Sequence, residues 1–449
     1  MLNVRPTLPP LLHTIQPEAH GPLGPPMTRA IESCVHCGFC LAACPTYREL
    51  GQEMDTPRGR IVLMKQVLEG TLPLADALPH VDRCLGCLAC EPACPSGVAY
   101  RNLLSPFRAL AESGALAEKN RHRPFMERVR RWLVSATLPH PARFRVAAWA
   151  GKFARGFAPL FPKSFRAMLS LIPENVPPRE TWPEVTPAHG RRRARVALLA
   201  GCAQQVLAPD INTATIEVLT RNGIEVVVPR AQVCCGALAW HVGDISSAQK
   251  LARKNLAAFP DDVDAILTNA AGCGSGMHEY HLILAGTELA DAAEKFRHRV
   301  LDAAVFLARL GDLAPIPDSG KATRIAVHDA CHLLNAQGIR DEPRALLAAI
   351  PRAEIVDLPD PHLCCGSAGT YNLDQPEIAA SLGAARARTI VDAQTDVVAT
   401  GNIGCLTQLK LHLAKQGANI PIRHTMQILR DAYCANHSAR SQSERSASG

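Results

Sequence analysis

Residues 34–45 read CVHCGFCLAACP and residues 84–95 read CLGCLACEPACP. Each is a set of four cysteines at spacings x2, x2 and x3, with a proline directly after the fourth. Three closely spaced thiolates of such a run wrap one iron–sulfur cube, and the fourth reaches across to the cube of the other run. Cys34, Cys37, Cys40 and Cys94 are therefore expected to hold one [4Fe–4S] cluster, and Cys84, Cys87, Cys90 and Cys44 a second. Pro45 and Pro95 turn the chain away after each crossing ligand. Zinc is usually held at other spacings. Disulfides need an oxidising compartment, and the total of 17 cysteines is odd.

Around these runs a small helical domain is expected over residues 28–115. Between them, Arg60 to Glu69 (RIVLMKQVLE) spaces its apolar residues as a helix does and ends at Gly70, a helix stop. Residues 1–27 hold seven prolines and no apolar period, which predicts a flexible arm. Residues 435–449 are polar and Ser-rich, which predicts disorder.

A connector follows over residues 116–192. Its stretch 121–170 carries eleven Lys/Arg and a single acid, Glu127. It also carries eight of the 20 aromatics: Phe125, Trp132, Phe144, Trp149, Phe153, Phe157, Phe161 and Phe165. The last four recur every four residues, as on one helix face, although Pro159 and Pro162 interrupt any long helix. Two readings stay open. The aromatics pack on the core beneath a basic surface helix, or they dock an anionic membrane or a partner subunit, with Arg130 and Arg131 among the contacts.

From residue 193 the chain repeats itself, as units 193–315 and 316–434. The first opens with the strand-like Arg195 to Ala200 and reaches Cys202. It continues through Ile224 to Val228, the doublet Cys234-Cys235-Gly236, the strand-like Ala265 to Thr268, and Cys273. The second runs from Arg324–Val327 to Cys331, then Glu354–Asp357, Cys364-Cys365-Gly366, Asp396–Ala399 and Cys405. Matching cysteines lie 129, 130 and 132 residues apart, the mark of a duplicated unit. Short apolar strands alternating with helices predict parallel α/β layers in each copy. The overall fold class is thus α/β: a small α-helical two-cluster domain followed by duplicated cysteine-rich α/β domains.

Adjacent cysteines rarely bond each other. Strand ends of a parallel sheet gather their loops at one edge. Cys202, Cys234, Cys235 and Cys273, and likewise Cys331, Cys364, Cys365 and Cys405, are candidates for a further metal or iron–sulfur site, or for redox thiols without metal. His241, His328 and His362 are neighbours that would tune or join such a site. No GxGxxG opens a helix after a strand and no Walker loop is present. Residues 272–276 (GCGSG) are better explained by their cysteine. No catalytic residue is assigned, and the chain is expected to pass electrons and leave substrate choice to a partner.

Composition bounds the rest. The chain has 449 residues, 47% apolar and 20% charged, with a net charge of +7, too mild by itself to imply nucleic acid. No apolar stretch reaches the roughly 18–20 residues of a spanning helix, and the start lacks a secretory pattern. A cytoplasmic protein is expected.

The stretches CVHCGFCLAACPTY, DTPRGRIVLMKQVLEG, DRCLGCLACEPACPSGVAY, GCAQ, CCGA with His241, GCG followed by Glu279-Tyr280, HLCCGSAGTYNL and NIGC resemble those of the iron–sulfur subunit of bacterial glycolate oxidases, from about residue 28 to residue 430. The resemblance implies a complex with flavin-carrying subunits that oxidise glycolate, or D-lactate, to the oxo acid. It also implies delivery of electrons to a quinone or other membrane acceptor, and a peripheral place on the inner face of the cytoplasmic membrane. A related lactate or glycerol 3-phosphate system, or a non-catalytic scaffold of such a complex, shares the architecture. The repeats are also similar to those of heterodisulfide reductase B-type subunits, which end in CxxC. Here the matching positions are Gly276 and Gln408, so the fifth cysteine is missing from both copies.

Overall fold

The computed structural model describes residues 12–116, 123–160 and 163–435. The first sheet is built from β1 (Val185–Thr186), β2 (Ala194–Leu198), β3 (Ile224–Val227), β4 (Ala265–Thr268) and β5 (Val300–Asp302). Its order is β1-β3-β2-β4-β5; β1 is antiparallel to β3 and the other pairs are parallel. The second sheet holds β6 (Thr323–Val327), β7 (Ala353–Asp357), β8 (Val397–Thr400) and β9 (Ile422–His424), all parallel, in the order β7-β6-β8-β9. Without β1 the two orders are the same, as duplication requires. Val196 stands opposite Val226, and Ile325 opposite Ile355. Helices cover both faces, so the central strands are unbroken apolar runs: Val196, Ala197, Leu198, Val398 and Ala399 are buried.

In each sheet the chain moves from the central strand to one neighbour and then to the other. The order therefore reverses at β2 and at β6. Loops leaving the strands on either side of such a point diverge and open a crevice at the carboxyl ends.

The repeats interlock. Met426, Leu429 and Tyr433, which follow β9, pack into the core of the first sheet. There Asn222 Nδ2 donates to Tyr433 Oη at 3.2 Å, and Arg430 pairs with Asp210. In return Ile211 and Val305 of the first repeat lie in the core of the second, with Ala326 and Leu409.

The N-terminal domain is helical. The predicted 60–69 helix is Pro57–Leu68, started by Thr56, whose hydroxyl accepts from the Gly59 N–H at 2.9 Å. It packs with the Gly24–Glu32 and Arg101–Ser113 helices around Met27, Ile31, Met64, Leu103, Leu104 and Phe107. That core runs on into the first repeat through Trp240 and Tyr280. Residues 12–27 depart from the expectation of a flexible arm: Ile15, Leu23 and Met27 are buried in this core. The prolines misled because Pro25 sits in the first turn of the Gly24–Glu32 helix, where a missing N–H costs nothing. Gly24 permits the approach, since a Cβ there would lie 1.8 Å from the Pro17 carbonyl oxygen. Residues 1–11 and the tail from 436 lie outside the described residues.

The connector forms the helices Phe125–Thr137, Pro141–Ala154 and Lys163–Leu171, with a 3-10 segment over Arg155–Leu160. Phe144 packs on Ala148, Val176 and Val206, as a core-facing aromatic should. Most of the others do not: Phe125 is 73% exposed, Trp132 66%, Phe153 73% and Phe157 64%. Arg130 and Arg131 are a correction in the opposite sense. Arg130 pairs with Asp374 and donates to the Leu373 carbonyl, and Arg131 pairs with Glu112 and Glu127, so both brace the helix from within. Phe161 lies outside the described residues.

Candidate functional site

Cys34, Cys37, Cys40 and Cys94 line one pocket with His36, Arg58 and Tyr100, and Cys90 of the second run reaches its wall. Cys94 from the other run is the thiol that neighbours Cys34 and Cys40. Cys44 instead joins Cys84, Cys87 and Cys90. The thiols thus stand as neighbours in the two groups that the spacing predicts, Cys94 beside the first run and Cys44 beside the second. Both runs bend at the same two places. His36 and Gly38 take φ of 55° and 84°, and Gly86 and Leu88 take 65° and 58°. A side chain in this left-handed region costs roughly 1–2 kcal/mol. The bend turns N–H groups toward sulfur, as where Gly86 donates to Cys84 Sγ at 3.4 Å.

The DTPRGRI segment supports the second group. Asp55 is fully buried and accepts from His80 Nδ1 at 3.1 Å and Arg83 at 3.0 Å. Arg60, also buried, donates to the His80 carbonyl at 2.7 Å and to Thr46 Oγ1 at 3.0 Å, beside Cys44. Burial pushes the Cys40 thiol up to about 11 and also raises Cys87 and Cys90. Bare thiolates are thus opposed here, and iron bound among them would offset that cost.

In the first repeat Cys202 follows β2, the doublet lies in the loop after β3, and Cys273 follows β4, so all meet where the strand order reverses. Cys202 and Cys234 Sγ atoms lie 3.2 Å apart. The second repeat brings Cys331, Cys364, Cys365 and Cys405 together around β6, β7 and β8, with Cys331 and Cys364 Sγ 3.9 Å apart. In each set one thiol is held below its ordinary range by donating neighbours: Cys234 by Cys202 and Cys235, Cys365 by Cys364 and Cys405. Cys202, Cys235, Cys364 and Cys405 are pushed up by sulfur neighbours and burial. A soft cation among the sulfurs would remove this conflict, and clustered thiolates select iron–sulfur or zinc. Both donor sets fit a metal centre.

Each doublet is held by residues that carry no cysteine signature. Tyr280 donates to the Cys235 carbonyl at 2.8 Å, and Asn255 Nδ2 to the Cys234 carbonyl at 3.1 Å. In the second repeat the buried Arg386 donates to the carbonyls of Pro359, Asp360 and Leu363. Asn255 and Arg386 went unread in the sequence. A buried polar side chain in a helix has no pattern until its partner is known.

Of the three histidines, His241 stacks near His332, ring centroids 5.3 Å apart, and burial followed by His332 lowers it to about 3. His362 Nδ1 meets Asn335 Oδ1 at 2.7 Å. Neither belongs to the thiol sets, whereas His328 faces Cys365 and Cys405.

The second four-cysteine group touches the second repeat. Cys87 and Cys331 are electrostatic neighbours, Asn335 Nδ2 donates to the Cys87 carbonyl at 3.0 Å, and Tyr371 Oη to the Arg83 carbonyl at 2.8 Å. Cys87, Cys364 and Tyr371 share one small apolar core.

Fold and sites together define an iron–sulfur protein with a two-cluster ferredoxin-type domain and a duplicated cysteine-rich domain. Residues 30–98 match the 4Fe-4S dicluster domain family, and residues 196–278 and 325–410 each match the cysteine-rich domain family. The chain belongs to the family of glycolate oxidase iron–sulfur subunits. It is 38% identical over 407 residues to the glycolate oxidase iron-sulfur subunit of Escherichia coli (strain K12), covering 90% of this chain and 94% of that one. It is 35% identical over 422 residues to the probable glycolate oxidase iron-sulfur subunit of Bacillus subtilis (strain 168), covering 89% and 93%. Lactate utilization protein A of Bacillus subtilis (strain 168) is 26% identical over 238 residues, 52% of this chain and 98% of that one.

Single Cys37→Ser and Cys87→Ser changes are expected to lower iron and sulfide content, each removing one cubane signal. Cys234→Ser and Cys364→Ser should each lower metal content in one repeat alone. Iron, zinc and sulfide assays on anaerobically purified chain check this, and wild-type values in any of the four would overturn that ligand assignment.

Proposed function

We propose that this chain is the electron-transfer subunit of a glycolate oxidase complex, taking electrons from a flavin-carrying subunit and passing them toward a membrane quinone. The observation that carries the reading is the neighbourhood of the thiol sets: Cys90 of the second group lines the pocket of the first, and Cys87 stands beside Cys331 of the second repeat. Oxidation of glycolate to glyoxylate releases two electrons and two protons. Iron–sulfur centres, when bound, take up and give back one electron at a time, so several in one chain would divide the pair. The chain's own residues keep the thiols buried or half-buried, Cys37 excepted, aim N–H groups at sulfur, and set neighbouring thiol groups side by side. The similarity to lactate utilization protein A makes lactate the substrate to set beside glycolate.

The connector supports a peripheral membrane position. No helix among the described residues is long and apolar enough to cross a membrane. Val146, Trp149, Phe153 and Phe157 form an exposed apolar row, and Lys152 lies 5.4 Å from the Trp149 ring centroid. Arg128, Arg143 and Arg166 of the same three connector helices are exposed. Exposed aromatics on helices that also carry exposed cations suit the interface of an anionic bilayer.

With its flavoprotein partner under anaerobic conditions, glycolate should raise the electron paramagnetic resonance signal of reduced clusters. The chain alone should stay silent. A complex that reduces with dithionite but with neither glycolate nor D-lactate would refute the substrate reading. Binding to vesicles containing anionic lipid should weaken roughly tenfold or more in Trp149→Ala/Phe153→Ala, since each aromatic contributes about 1.5–3 kcal/mol when buried. Vesicle binding that ignores both the double change and added salt would sink the membrane reading.

A further inference from the structure

His328 directly follows β6, three residues before Cys331. It is 3% exposed, and neither ring nitrogen meets a nitrogen or oxygen partner; the Cys365 thiol is the group within its reach. A buried imidazole needs such a partner, because a desolvated polar group left without one loses about 1–3 kcal/mol. What the ring faces is sulfur: a His328 nitrogen, Cys365 Sγ and Cys405 Sγ all lie within 4.8 Å of one another.

The first repeat supplies the control. Leu199 directly follows β2, three residues before Cys202. The two positions make the same backbone bond: Leu199 N–H donates to the Leu267 carbonyl and His328 N–H to the Ala399 carbonyl, each at 2.9 Å. Leu267 lies in β4 and Ala399 in β8, the matching strands. Equivalent backbone thus presents a hydrocarbon to one thiol set and a nitrogen donor to the other.

Neither repeat gets a fifth donor from the position three beyond its last cysteine. A Cβ at Gly276 would fall 2.3 Å from the Ala237 Cβ, so that place is closed. Gln408 is buried, and its amide nitrogen is spent on the Ala379 carbonyl at 3.0 Å.

We propose that His328 is a nitrogen ligand of the metal centre in the second repeat, so that the two repeats carry unlike centres, all-thiolate in the first and mixed sulfur–nitrogen in the second. This rests on the reading that the repeats hold metal. Replacing thiolate by imidazole raises an iron–sulfur centre's potential, so the second centre would be the more oxidising of the two.

The test uses the full chain, purified anaerobically with 15N-histidine, in wild type and His328→Leu. Leucine is the residue the first repeat already carries at this place, so the fold should tolerate it. Pulsed electron paramagnetic resonance should find a strongly coupled histidine nitrogen in reduced wild type and lose it in His328→Leu. If the second repeat holds zinc, absorption at the zinc edge should count a nitrogen neighbour in wild type and not in the variant. Metal content and spectra unchanged in His328→Leu, while Cys364→Ser/Cys405→Ser loses metal, would overturn the proposal alone. Unchanged metal in the cysteine double variant would overturn the underlying reading as well.

Discussion

Four thiols cannot share a dry pocket comfortably without a cation between them. As thiolates they repel, and as thiols they bury weak donors among weak acceptors. Sixteen of this chain's cysteines stand in four such sets, Cys37 alone of them at the surface, and the architecture follows from gathering them. In the N-terminal domain the sets are made by left-handed bends at His36, Gly38, Gly86 and Leu88, and by exchange of Cys44 and Cys94 between runs. In the repeats they are made by a parallel sheet whose order reverses at its central strand, which brings three strand ends to one crevice. Two unrelated local geometries serve one chemical end.

The domains are also tied to each other close to the sulfur. Arg108 donates to the Cys84 carbonyl at 2.8 Å and to the His241 carbonyl at 3.0 Å, joining the ferredoxin-type domain to the first repeat. Arg101 is paired with Glu91 and donates to the Ala336 carbonyl at 2.8 Å, joining it to the second. These half-buried arginines are costly to remove, because each leaves acceptors in both domains unmet. The metal sites are therefore fixed in relation to one another. An electron carrier needs that rigidity, because short, constant separations set its transfer rates.

Much of this was legible in the sequence. The cysteine spacings pointed to two four-cysteine groups in which Cys44 and Cys94 change places, and the thiols are neighbours in that pattern; the near-constant offset between matching cysteines pointed to the duplicated sheets. The central strands β2, β3, β4, β6, β7 and β8 were legible as apolar runs. β1, β5 and β9 were not, being only two or three residues long. Prolines misled at residues 12–27, where helix initiation looks like looseness. Charge misled at Arg130 and Arg131, since a basic run does not say which cations turn inward to Asp374 and Glu112. Tertiary partners decided the remainder: Asn255 and Arg386 hold the doublet loops through carbonyls that no local pattern connects to them.

The central claim is that the second four-cysteine group and the thiols of the second repeat form neighbouring carriers on one path. The most direct measurement is an electron paramagnetic resonance titration of the whole chain with falling potential, in wild type and in Cys364→Ser. As the second of the two centres is reduced, the account expects both signals to broaden through spin–spin coupling, and expects that broadening to vanish in Cys364→Ser. Signals that add without interaction at every potential in wild type would contradict it.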